Sequence, residues 1–306
     1  MASTIAHERL VGGAVAHDAP GRAGFFGAVR SEFTKIRSVR STYWTLLALF
    51  VVCVGIGALF AWGQTERLAS IAGGTTLNGH PIPSAAQHSF LAQREAEIRS
   101  AASSISLFGL LFGQLIITVV GALTITSEYS TGMIRTSLTT MPRRGTWFAA
   151  KAVVFGLVAL VTGLVTSFVS FFVGQAILSS WHVNVTLGQH DVLRSVIGGG
   201  LFLAVCGLMS FGIGAILRHT AGAISAAIGL LFVLLILSNF LPGPPSGWFG
   251  QTDIDKWIPF YAGAHIWQNQ MLGVNPFSPW IGFGVFCAYA AAAIIGGLFL
   301  FLRRDA

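Results

Sequence analysis

Residues 152–174 read AVVFGLVALVTGLVTSFVSFFVG and carry no charged side chain. A helix rises ~1.5 Å per residue, so this run is long enough to cross the ~30 Å hydrocarbon layer of a bilayer. Working outward, five further runs qualify: Tyr43–Gly63, Ser104–Ile125, Ser195–Leu217, Ala221–Phe240 and Trp280–Leu302. Only Arg218, His219 and Thr220 separate the fourth from the fifth, which predicts a tight turn. Charged residues make up 9% of the 306-residue chain, against about 25% in soluble domains. That is too few to clothe a water-exposed surface. The sequence therefore predicts an all-α integral membrane protein with six transmembrane helices.

Lysine and arginine set the expected orientation. With the N-terminus inside, thirteen of the 18 bases lie on the cytoplasmic side and five outside: Arg67, Arg94, Arg99, Arg194 and Lys256. The positive-inside rule then puts both termini in the cytoplasm. Trp44, Trp62, Trp147, Trp181 and Trp280 fall at span ends, where indole rings prefer the headgroup level. The net charge of +7 is read as topology, so no nucleic-acid partner is expected. Residues 1–24, rich in Ala and Gly, read as a disordered cytoplasmic tail. No cleaved signal peptide is expected.

None of the six runs contains Asp, Glu, Lys, Arg or His. Ionisable groups at that depth mark relays and ion sites, so their absence argues against ion-coupled transport and intramembrane hydrolysis. The uncharged polar groups allow a pathway lining or plain interhelical bonding. They are Gln114 and Thr118 in the second run, Thr162, Thr166 and Ser170 in the third, and Ser238 and Asn239 at the end of the fifth. Gly200, Gly207 and Gly214 recur every seven residues in the fourth run with Ala204 on the same seam, the pattern of close helix packing.

Ahead of the first run, GFFGAVRSEFTKIRSVR places Phe25, Phe26, Val29, Phe33 and Ile36 on one helical face, with Arg30, Lys35 and Arg37 beside it. Residues 25–42 are thus expected to form an amphipathic helix on the inner leaflet, in contact with membrane lipids, ahead of a six-span domain over 43–306. Glu32 and Arg40 sit near the apolar arc and spoil the pattern.

The segment between the second and third runs is richer than a connector needs: TSEYSTGMIRTSLTTMPRRGTWFAAK, from Thr126 to Lys151. Glu128 follows the second run. Gly132 can break the helix. Met133–Met141 could form two turns with Ile134, Leu138 and Met141 on one side, next to Arg135. Pro142 closes them, and Arg143, Arg144 and Lys151 flank the third run. A short helix with one apolar side suits a groove on a partner, or is only a solvated basic loop.

These residues resemble a family. The chain is similar to the permease subunits of bacterial ATP-binding-cassette exporters of the type-two, six-span class. SEFTKIRSVRSTYW, Ser31 to Trp44, looks like their basic entry segment. Glu128, Gly132, Leu138, Pro142, Arg143 or Arg144, and Lys151 match the acid, glycine, leucine, proline, arginine and lysine pattern after span two. Met133 stands where many relatives have Thr. The resemblance implies that the 127–145 loop is a coupling helix against a separate ATPase. It implies two ATPase copies, a second permease protomer forming a homodimer, and location in the bacterial cytoplasmic membrane. ATP and Mg would sit on the partner, with no cofactor on this chain. No G-x-x-x-x-G-K-[ST] phosphate loop occurs in the sequence, so no enzymatic activity is expected of the chain itself. Spans two and five face the cavity in this family, which makes Gln114, Thr118, Ser238 and Asn239 the pathway candidates. A membrane scaffold or an ATP-independent carrier are the alternatives.

The last outer loop, Leu241 to Pro279, is rich in proline, glycine and aromatics. Its apolar pieces are too short to cross, and a re-entrant segment between spans five and six is expected. Cys53, Cys206 and Cys287 sit inside apolar runs, and His80 and His88 have no further ligand at suitable spacing, so no metal site is expected.

Overall fold

The computed structural model describes residues 24–65, 76–77, 80–81, 101–134, 144–180, 185–189, 191–238, 256–268 and 277–303. Expectations for the N-terminal tail, for Arg135, Leu138, Met141, Pro142 and Arg143, and for His88, Trp181 and Asn239 lie outside them. Among the described residues the protein is all-helical apart from a two-residue strand pair, β1 (Thr76–Leu77) with β2 (His80–Pro81). Six helices among the described residues are long and apolar enough to cross a membrane.

The chain enters through α1 (Phe25–Ser38). Val39, extended at φ −87° and ψ 104°, separates it from span one, α2 (Arg40–Gly63). Span two, α3 (Leu110–Ser130), is preceded by a helical stretch over 101–106 and a three-residue turn. Gly109 and Gly113 occupy the turn and the first turn of α3 because the backbone and Sγ of Cys53 come too close for any side chain there. Span three, α4 (Arg144–Ser179), is followed by span four, α5 (Val192–Leu217). Span five comprises α6 (Thr220–Ile228), a π-helical turn over Gly229–Val233, and α7 (Leu234–Ser238). A short helix, α8 (Pro259–Ala264), precedes span six, α9 (Pro279–Arg303).

Hydropathy places these spans correctly and misjudges their ends. Span two continues past Ile125 to Ser130, and span three runs over Arg144–Ser179 rather than 152–174. The expected limits stop where polar residues begin. Those residues, Glu128, Lys151 and Gln175, are buried and bonded inside the protein, so the helices continue through them. At ~1.5 Å per residue, span three is far longer than the hydrocarbon layer needs.

Span four is the central post, packed on spans two, three and six. Its glycine seam has the expected cause. A methyl group at Gly200 would lie 2.7 Å from the Leu164 backbone nitrogen, and one at Gly163 would lie 2.7 Å from the Gly200 carbonyl oxygen. Polar side chains tie the same layer. Ser167 donates to the Val196 carbonyl (2.6 Å) and Ser170 to the Ser106 carbonyl (2.8 Å). Gln175 donates to Ala102 and Ser106 and accepts the Val185 amide. In Ser170 the interhelical reading holds. Spans one, three, five and six turn large apolar side chains outward, among them Leu59, Val161, Val233 and Ile295.

Candidate functional site: the roots of the 127–145 loop

Span two ends at Gly132, whose φ of +68° is left-handed and suits glycine. The Thr131 and Gly132 amides close the helix onto Ser127 and Tyr129. This termination leaves Glu128 in the last turn, pointing into the protein.

There it meets three other charges. Lys151 Nζ lies 2.9 Å from Glu128 Oε1 and 2.7 Å from Glu32 Oε2. Lys35 Nζ lies 3.1 Å from Glu32 Oε1 and 3.5 Å from Glu128 Oε1. Two carboxylates and two ammonium groups thus form a neutral closed ring. It joins α1, the end of span two and the start of span three. Glu32, Glu128 and Lys151 are buried and Lys35 is half-buried. A buried charge is tolerable only when paired, and here each charge has two opposite partners.

The ring explains the flawed amphipathicity of α1. Ala28 and Glu32 are its buried positions, while Phe25, Phe26 and Phe33 are exposed and Val29 and Ile36 are half-buried. The helix turns charge toward the protein and phenylalanine away from it. Arg37 and Arg40 are exposed.

Ile134, expected to meet a partner, is buried in the protein's own core, whereas its neighbour Met133, which was not expected to do so, is exposed. Arg144 opens span three and is half-buried. Trp147 is not a headgroup anchor. It is 1% exposed, stacked on Phe301 (5.5 Å between centroids), with Lys151 Nζ 5.2 Å from its ring. Trp44, Trp62 and Trp280 are exposed, as an interfacial position requires.

Beside the ring, the turn from span four to span five rests on span two. Arg218 takes a left-handed φ of 56°. Its guanidinium carbon lies 5.1 Å from the Tyr129 ring centroid, and its Nη2 donates to the Leu300 carbonyl at 3.2 Å.

The pathway candidates are less exposed than a channel wall. Gln114 and Thr118 are buried inside the protomer. Neither amide atom of Gln114 nor the Thr118 hydroxyl has a hydrogen-bond partner among the described residues. The Thr166 hydroxyl is in the same condition. Ser238 is the last residue of α7.

At the opposite end of the bundle, α8 is wholly buried. Arg194 of span four donates to the His265 and Ile266 carbonyls at 3.2 and 3.1 Å, and is itself held by Asp191 at 3.2 Å. Phe202, Phe260, Trp267 and Phe286 pack as one aromatic group around the segment. His265, outside the six spans, is buried, and burial lowers its pKa from the ordinary imidazole value.

Sequence reasoning missed Glu32 as a partner of Lys151, Gln175 as a clamp and Arg194 as an anchor. Only Glu32 left a trace, as a charge inside an apolar arc. Among the described residues no group of three or more metal-ligating side chains occurs.

No curated protein matches the chain. A family model described as the ABC-2 family transporter protein matches residues 28–306, which takes in the ring, all six spans and α8. The chain therefore belongs to the ABC-2 transporter family, as a multi-pass membrane permease.

Proposed function

We propose that the chain is the membrane half of an ATP-driven exporter. Two copies form the pathway, and each is driven by a separate ABC ATPase that binds ATP and Mg and docks on the 127–145 loop. Both termini, α1 and the ring lie on the cytoplasmic side, in a bacterial inner membrane. One observation carries the reading: the loop's two roots, Glu128 and Lys151, are ion-paired to each other and to Glu32 of α1. A load on the loop then moves α1, span two and span three as one body. A loose connector would dissipate it.

On this reading α1 rests in the inner leaflet through Phe25, Phe26 and Phe33, and α8 is a re-entrant segment closing the outer end. Gln114 and Thr118, with Ser238 and Asn239, serve the cargo. The first two are buried within one protomer, so cargo reaches them only when the helices part. Their unpaired polar atoms support this, because such atoms are costly in a finished core.

The test is co-purification from native membranes. Met133→Asp and Leu138→Asp are expected to abolish recovery of a nucleotide-binding chain while membrane insertion is unchanged. Undiminished recovery with both variants removes the coupling assignment. Ile134 is a poor probe, because an aspartate there enters the protein's own core.

A further inference from the structure

We propose that Arg218 is a positioning residue that passes displacement of the loop root at Tyr129 to spans four, five and six. This rests on the reading that the 127–145 loop receives force. It adds a second branch, separate from the ion ring that serves α1 and span three.

The backbone gives the first argument. Arg218 ends span four in the left-handed region, where glycine is the unstrained residue and an arginine is not. The helix-closing bond, from the Arg218 amide to the Gly214 carbonyl at 2.9 Å, would form equally well with glycine. What glycine cannot supply is the side chain. The guanidinium covers the ring of Tyr129 and donates to Leu300.

Electrostatics gives the second. Tyr129 lies in the last turn of span two, Leu300 in the last turn of span six, and Arg218 caps span four. Three helix C-termini, each with the negative end of its dipole, converge on one cation. A cation there holds together ends that would otherwise repel.

Connectivity gives the third. Only Arg218 and His219 separate span four from α6, and the His219 side chain accepts the Gly222 amide at 3.3 Å. A turn this short and capped has no slack. If Tyr129, next to Glu128, shifts with the loop, the turn follows and takes both spans with it. Leu300 recruits span six. The π-helical turn at Gly229–Val233 lies one helical segment further along span five, where a pushed helix can change register.

The experiment uses the complex with its ATPase in nanodiscs, with Cys53, Cys206 and Cys287 replaced. Spin labels are placed at exposed Ser130, in the last turn of span two, or exposed Ala221, in the first turn of span five. Distances between the two protomers are measured by pulsed EPR before and after trapping with ADP and vanadate. The expected result is a shift at both positions. In Arg218→Gly, which suits the left-handed backbone, and in Tyr129→Leu, the Ser130 shift persists and the Ala221 shift falls roughly two-fold or more. Tyr129→Phe, which keeps the ring face beside the guanidinium, retains the full Ala221 shift. An Ala221 shift of full size in Arg218→Gly and Tyr129→Leu overturns the proposal. So does a wild-type shift confined to Ser130, which leaves the coupling reading intact. Absence of any shift at Ser130 overturns the coupling reading, and this inference with it.

Discussion

At the scale of single residues, Lys151 has the strongest leverage. It is the only member of the ring that touches both carboxylates while being buried itself. Removing one partner from a buried ion pair costs about 3–5 kcal/mol, because the remaining charge is stranded. Lys151→Met leaves two buried carboxylates sharing the half-buried Lys35 alone and is expected to fall in that range, read as thermal unfolding in detergent. Lys35 is half-exposed, and Lys35→Ala is expected to cost ~1 kcal/mol or less. Equal stability of Lys151→Met and the native protein would mean that the ring carries no structural load. The sequence revealed half of this device. Glu128 and Lys151 stood out as members of the loop pattern that the family resemblance supplied, and their pairing did not. Glu32 looked like a defect in an amphipathic helix, because periodicity records where a side chain points and not what waits for it on another segment.

At the scale of elements, the spans were legible and their ends were not. A hydropathy window sees Lys151 and Gln175 as the limits of span three, although both are neutralised or bonded within the bundle. The glycine seam of span four was legible as packing because small residues recur at a fixed period. Its test is a pair of alanine substitutions. Gly200→Ala drives a methyl group against the Leu164 backbone, which cannot yield as a flexible side chain would, and should destabilise by ~1–3 kcal/mol. Gly284→Ala meets nothing within 4 Å and should stay within about 0.5 kcal/mol of the native protein. The docking of α8 could not be read from sequence. The proline and aromatic content of the last loop announced a short apolar segment, but Arg194, its anchor, lies far upstream and read only as an outer base. Hydrogen bonds from a cation contribute about 1.5–3 kcal/mol each. Arg194→Met should therefore raise amide exchange over residues 259–266 by ~10-fold or more. Unchanged exchange would show that the aromatic packing alone holds the segment.

At the scale of the whole molecule, the ion ring, the loop roots, the Arg218 turn and both chain ends with described structure gather at one end of the bundle, and α8 closes the other. The positive-inside rule predicts that the α1 end faces the cytoplasm, because in the sequence the segments expected on that side carry thirteen of the 18 bases. The orientation also decides whether the proposed mechanism is possible, since an ATPase cannot dock on an outward-facing loop. Single cysteines at exposed Ser38, Ser130, Ser180 and Thr186, in a background without Cys53, Cys206 and Cys287, separate the two orientations. With a membrane-impermeant maleimide, Ser180→Cys and Thr186→Cys should react in intact cells. Ser38→Cys and Ser130→Cys should react only after the membrane is opened. The reverse pattern would put the loop outside and end the coupling model. Labelling of Ser38→Cys alone in intact cells would place α1 outside, on the far side of the membrane from Glu128, and the bonds from Lys151 to both carboxylates could not coexist.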